Sequence, residues 1–413
     1  MRAPLRGAVE VDGGLLVDEE GPFWAVGASY MSAVWFYKHD RARLEKNLAF
    51  LADGGIDYIR VLGEVGGAFW EGRETDPRWP DYDEVVAGLT DLAYDRYGLR
   101  VEWTLFGWVG FSPTPGDRAA LVDRFAAMAA RRPHKILHFE IANEYWQNGF
   151  GGDAGLVELR ELTHRLQERL RAAGVMLPVA PSAPAGNTCA EWLTLYERLG
   201  ADLATIHFDR TTDDVEGRWR PVRMPWTYRD CQGMPDVASN NEPIGPGSSG
   251  DDENDPLRLV SAAVVTFMAR SPLYVLHSIA GIRGDLDFDA LPNVQETMAG
   301  FRALRRVLPR SLPAWTAHDH DAPQGPLELR SPVSPGLGAR EGAVAAFASV
   351  RDDQFLVVTI GLRERVVFRA RRAMSIELLD LLDGQRLDQR SLAAGESFPV
   401  EGRAAVVIRG KWQ

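Results

Sequence analysis

Ile136-Leu137-His138-Phe139-Glu140-Ile141-Ala142-Asn143-Glu144-Tyr145-Trp146 is a largely apolar run that stops on Asn-Glu and two aromatic residues. Its first seven positions carry Ile136, Leu137, Phe139 and Ile141, which marks residues 136–142 as a buried strand. Residues 156–173 then repeat apolar positions at helical spacing, and Gly174 stands where a helix would be capped. A strand followed by a helix is one β–α unit. The same rhythm extends outward in both directions. Candidate strands are 23–28, 58–62, 101–106, 177–180, 203–208, 236–240 and 273–277. Starts of successive strands lie about 26 to 43 residues apart, room for one strand, one helix and two loops. Residues 41–53 read as an amphipathic helix with Leu44, Leu48 and Leu51 on one face, and 121–131 read the same way. Asp255-Pro256 opens another helix, with Asp as N-cap and Pro at the first position.

Eight such units predict an α/β fold, either a doubly wound sheet or a (β/α)8 TIM barrel. The first strand leads into Gly27-Ala28-Ser29-Tyr30-Met31, which lacks the G-x-G-x-x-G of dinucleotide folds, and no P-loop follows. The barrel is therefore preferred. After residue 313 the pattern changes to short β-rich runs at 344–350, 355–360, 366–370, 375–379, 397–400 and 404–408, with Asp383-Gly384 as a hairpin turn. The expected organisation is a catalytic barrel over 1–313, a linker over 314–326 and a small C-terminal β-sandwich over 327–413. Residues 9–17 alternate around Asp12-Gly13-Gly14 as an N-terminal hairpin, which either plugs the barrel floor or pairs with the sandwich.

Composition narrows the function. A net charge of −12 disfavours nucleic acid and anionic membrane surfaces as partners. No apolar run reaches the ~18 residues of a spanning helix, so membrane insertion is not expected. Cys189 and Cys231 are too few for a disulfide framework, although a single bridge remains open. The start Met1-Arg2-Ala3-Pro4-Leu5-Arg6-Gly7 lacks the apolar core of a signal peptide, which predicts a cytoplasmic protein or one exported by another route. The chain holds 12 tryptophans, which serve either core packing or stacking on sugars.

Barrel active sites lie on loops at the carboxyl ends of the strands. Strand four ends in Asn143-Glu144, and strand seven ends in Ala238-Ser239-Asn240-Asn241-Glu242-Pro243. Two carboxylates at one mouth are what glycoside hydrolysis requires. Glu64, Glu102 and Glu140 compete for the role, but Glu140 shares Glu144's face at even spacing and is expected deeper. With Arg60 ending strand two and His207 ending strand six, the sequence resembles the clan A glycoside hydrolases, which include the cellulase-like family 5. The resemblance covers the barrel. It implies that Glu144 is the acid/base and Glu242 the nucleophile of a retaining reaction, with carboxyls about 5–5.5 Å apart. Repulsion at that distance keeps one of the two protonated, and the family pattern makes that one Glu144. Glu242 stays ionised beside Arg60, Asn143 bonds the sugar 2-hydroxyl, and His207 orients or polarises the pair.

The sequence departs from that pattern in three places. Strand three ends Leu105-Phe106-Gly107-Trp108, without the family's histidine. Strand six reads His207-Phe208-Asp209, so the tyrosine that holds the nucleophile must come from elsewhere, with Tyr228 as candidate. Strand eight ends Leu276-His277-Ser278, placing His277 where a tryptophan usually meets the sugar. Trp35, Trp70, Trp108, Trp146 and Trp226 follow strand ends and are candidate sugar platforms, whereas Trp24, Trp103 and Trp192 read as core. The acidic run Asp251-Asp252-Glu253-Asn254-Asp255 and His318-Asp319-His320-Asp321 read as solvated segments rather than cation sites. No cofactor is implied, and H-E-x-x-H, C-x-x-C and G-x-S-x-G are all missing. The expected function is retaining hydrolysis of β-glycosidic bonds in an oligo- or polysaccharide. The alternative is a carbohydrate-binding protein that kept the barrel and lost turnover, and a metal-dependent barrel hydrolase stands third.

Overall fold

The computed structural model describes residues 7–208, 224–243, 256–319, 325–330, 345–360, 365–401 and 405–413. The acidic run 251–255, residues 320–321 of the His-Asp stretch and most of the segment after strand six lie outside them.

Eight parallel strands form the barrel: β1 (Ala25–Ser29), β2 (Tyr58–Glu64), β3 (Arg100–Phe106), β4 (Ile136–Ala142), β5 (Val179–Ser182), β6 (Ala204–Ile206), β7 (Ala238–Asn240) and β8 (Leu273–Leu276). Their order is β5-β4-β3-β2-β1-β8-β7-β6, so β5 and β6 are the two ends and lie side by side. Side chains join that seam. The Tyr196 hydroxyl donates to the Ser182 carbonyl of β5 at 2.7 Å and accepts from the Thr205 amide of β6 at 2.9 Å. One level down, Asp202 accepts from the Val179 amide at 3.0 Å.

Alternation decides what each strand offers. On β4, Phe139 faces outward to Phe125, while His138 and Glu140 point inward and meet Glu102 and Arg60. The outer layer is helical. Helix α1 (Ala33–His39) directly follows β1, and α2 (Arg41–Asp53) is capped by the Asp40 side chain accepting from the Arg43 amide. Helices α3 (Tyr82–Tyr97), α4 (Pro115–Ala129), α5 (Gly152–Ala172), α6 (Cys189–Tyr196), α7 (Met224–Arg229), α8 (Pro256–Met268), α9 (Ile279–Ile282) and α10 (Pro292–Val307) complete the layer. Helix α4 starts with a reciprocal Thr114–Asp117 capping box and Pro115 at its first position. Cys189 and Cys231 form a disulfide, joining the start of α6 to the turn after α7.

The N-terminal residues form a three-stranded antiparallel ribbon of Glu10–Asp12, Leu15–Asp18 and Gly21–Pro22. It sits on the barrel floor: Asp18 pairs with Arg100 at the start of β3 (3.3 Å) and with Arg310 (2.5 Å). Of the two expected positions for this hairpin, the structure has the floor.

The C-terminal residues form two antiparallel sheets. One joins β9 (Thr316–Asp319), β11 (Ala345–Arg351), β12 (Gln354–Ile360), β17 (Ala405–Trp412), β14 (Met374–Asp380) and β15 (Arg386–Leu392) in that order. The other joins β10 (Leu327–Leu329), β13 (Val366–Ala370) and β16 (Ser397–Val400). Strand β9 corrects the expected linker: residues 316–319 already belong to the sheet, paired with β11 from Thr316–Val350 to Asp319–Phe347. Helix α8 links the two halves. It is buried from Leu259 through Met268 because one side packs on α10 and another on β11 and β12.

Candidate active site

The inward side chains of β2, β3 and β4 form a buried charged layer beneath the barrel mouth. Arg60 is its centre. Its guanidinium lies 2.8 Å from Glu140, 2.9 Å from Glu242 and 3.3 Å from Glu102. Burial works against the Arg60 charge, but the three carboxylates outweigh it and raise its pKa. Glu140 also accepts from the Thr104 hydroxyl at 2.7 Å, and burial that would neutralise it is overcome by Arg60, which holds its pKa low. Glu102 accepts from the Asn241 amide at 3.2 Å and lies 3.4 Å from His138. Glu64 serves another purpose. Its carboxylate accepts the Phe111 and Ser112 amides at 2.8 and 3.0 Å, fixing the loop after β3, and burial raises its pKa.

Above this layer stand the strand-end residues. Asn143 turns its Oδ1 to Arg60 at 2.7 Å; since arginine only donates, the Asn143 Nδ2 faces away. Glu144 follows with φ +41°, in the left-handed region that β-carbon-bearing residues rarely adopt. The Asn148 side chain holds this turn by donating to the Asn143 carbonyl at 2.7 Å. A strained residue held in this way at a strand end is a feature of functional sites. The Glu144 carboxylate meets the Gln147 amide and lies 3.2 Å from His207 Nδ1. His207 Nε2 points to Glu242 at 3.9 Å, so one imidazole stands between the two carboxylates. One atom each from Glu144, His207 and Glu242 lie within 4.8 Å of one another. Such a trio could also hold a metal ion.

Electrostatics separate the groups. Burial alone would raise the Glu242 pKa, but His277, His207 and Arg60 outweigh it and bring it to about 2. Burial opposes a charged His207, yet Glu242 and Glu144 raise its pKa above the ordinary value.

The tryptophans divide. Trp146 remains 36% exposed on the loop after Glu144, edge-on to Tyr145. Trp108 is half-buried after β3, edge-on to Phe111 and seated over Gly66 and Gly110; a β-carbon on Gly110 would lie 2.0 Å from its ring. Trp70 is buried in a small cluster with Met31, Leu62, Val65 and Ile282, beside Phe69, which is 51% exposed. Trp24, Trp103 and Trp192 are core, as expected.

Three assignments need correction. Trp35 is not on a loop: it belongs to α1, edge-on to Phe36 and beside His39. Trp226 lies in α7, buried against Phe347 of β11, so its ring is part of the barrel–sandwich contact. Tyr228 packs between Trp192 and Phe208 and spends its hydroxyl on the Pro235 carbonyl at 2.6 Å, and it does not hold Glu242. His277 lies 3.5 Å from Glu242 and is itself joined to Ser29 at 2.8 Å. Ser29 and His138 were not picked out in the sequence. Even spacing placed His138 inward beside Glu140, which was the available signal, whereas nothing local distinguished Ser29.

No family model matches the chain, and none of the curated proteins searched matches it in sequence. Solved structures do match in shape. An α-galactosidase from Saccharomyces cerevisiae superposes with a TM-score of 0.54 at 10% identity, over 99% of this chain and all of that one. A glycoside hydrolase family 30 subfamily 8 xylanase from Clostridium acetobutylicum gives 0.51 at 12% identity, over 94% and 96%. An exo-β-1,4-mannosidase from Opitutaceae bacterium strain TAV5 gives 0.50 at 13%, over 73% of this chain and 63% of that one. The fold is that of the barrel glycosidases. At such low identity the likeness concerns the barrel and its trailing β domain and says nothing of individual residues.

Proposed function

We propose that this chain is a retaining glycoside hydrolase acting on β-glycosidic bonds of an oligo- or polysaccharide. The observation that carries the reading is the carboxylate pair. Glu144 and Glu242 come from the ends of β4 and β7, and their nearest oxygens lie within 4.8 Å, bridged by His207. So close an approach suits double displacement, in which the carboxyls lie nearer each other than in an inverting enzyme.

In the first step an oxygen of ionised Glu242 attacks the anomeric carbon while Glu144 gives its proton to the departing glycosidic oxygen. In the second step Glu144 takes a proton from water, whose oxygen displaces Glu242 from the sugar. His277, His207 and Arg60 keep Glu242 anionic until it attacks. The outward Nδ2 of Asn143 donates to the sugar 2-hydroxyl oxygen and fixes the ring beside Glu242. Trp146, Phe69 and Trp108 offer aromatic faces on the surrounding loops.

Chemical rescue tests the roles. With an aryl glycoside that wild-type protein turns over, Glu242→Ala loses activity, and azide restores it as the glycosyl azide of inverted configuration. Glu144→Ala with azide gives the retained azide. Full activity of either variant without azide defeats the assignment.

A further inference from the structure

Resting on the reading of Glu242 as nucleophile, we propose that Ser29 and His277 are a positioning pair that aims its carboxylate, the task that Tyr228 does not perform. The two oxygens of Glu242 are held by groups on β2 and just after β8, the two strands that flank β1. Oε2 receives Arg60 Nη1 at 2.9 Å, and Oε1 faces His277 Nε2 at 3.5 Å. Arg60 alone would leave the carboxylate plane free to turn about one bond, and His277 removes that freedom. His277 Nδ1 lies 2.8 Å from Ser29 Oγ. With Oγ accepting from Nδ1–H of a charged ring, or donating to Nδ1 of a neutral one, the proton on Nε2 faces Glu242.

The pair is built into rigid structure. Ser29 shares a rung of the β1–β2 ladder with Arg60, so both groups acting on Glu242 are set by the same strand register. On its other side the chain at Ser29 is pressed by α9: a β-carbon on Gly281 would lie 1.7 Å from the Ser29 carbonyl oxygen, and Met31 donates to the Gly281 carbonyl at 2.9 Å. His277 follows Leu276, which pairs with Ala28 in the β1–β8 ladder. Serine, histidine and glutamate in a row have the composition of a hydrolytic triad. Ser29, however, has no exposed surface, so its hydroxyl acts on His277 and not on substrate.

A double-mutant cycle tests the pair on the aryl glycoside used for rescue, with folding checked by thermal melts. Ser29→Ala lowers kcat by roughly 10- to 100-fold with KM little changed, the loss seen when a group that orients a working histidine is removed. His277→Gln keeps an N–H within reach of Glu242 without help from Oγ and retains part of the rate. In the His277→Gln background Ser29→Ala costs nothing further. The same loss in both backgrounds overturns the proposal, as does covalent labelling of Ser29 by a fluorophosphonate. Failure of azide rescue at Glu242 would instead remove the glycosidase reading itself.

Discussion

Arg60 faces three carboxylates, and a single guanidinium cannot neutralise them all. His207 and His277 supply further positive charge around Glu242, and this sets the pH window of the folded state. Glu242 has its pKa lowered from 4.5 to about 2, so its contribution to stability is present above about pH 4.5 and lost as pH falls toward 2. His207 has its pKa raised above 6.5, so its contribution is complete below that value and lost as pH rises through the raised one. Thermal melts across pH 2 to 9 should show a maximum between these limits, and His207→Asn should remove the alkaline fall while weakening the acid one, which His277 and Arg60 still maintain. Asn143-Glu144, His207 and Glu242 were legible because each closely follows a strand, whereas Arg60, expected at a strand end, lies within β2 (Tyr58–Glu64) and was singled out by the family resemblance. Tyr228 departs from expectation because its hydroxyl is turned to the Pro235 carbonyl, a contact that no local pattern announces.

Elements with a strong period were readable, and those defined by long-range packing were not. Strand β4 and helix α2 fall where alternation and the leucine stripe put them, at Ile136–Ala142 and Arg41–Asp53. Strand β15 was invisible because Arg386–Leu392 is an edge strand with few apolar residues. Helix α7 shows the same limit. Trp226 looked like a sugar platform because it follows strand six, but its ring is buried on Phe347, more than a hundred residues away in sequence. Trp226→Ala should therefore destabilise the protein by about 3–5 kcal/mol, the usual cost of emptying a large aromatic site. KM for a glycoside should stay at its wild-type value. A raised KM with an unchanged melting temperature would restore Trp226 to the substrate cleft.

At the scale of the whole molecule, the two halves are joined by the faces of α7 and α8 that the barrel leaves uncovered, so the sandwich is a structural partner of the outer helical layer. The mouth is left to the strand ends and their loops. Barrel glycosidases of different specificities share this architecture at 10–13% identity, which is why the chemistry here rests on side-chain geometry and not on the likeness. The disulfide between Cys189 and Cys231 was an open possibility in the sequence; the fold brings α6 and the turn after α7 together and closes it. The central claim is that Glu242 forms a bond to the sugar while Glu144 moves the proton. Trapping with a 2-deoxy-2-fluoro aryl glycoside, followed by peptide mass mapping, tests it most directly. One sugar per chain, bound to Glu242, is the expected result; a label on any other residue would contradict nucleophilic attack by Glu242.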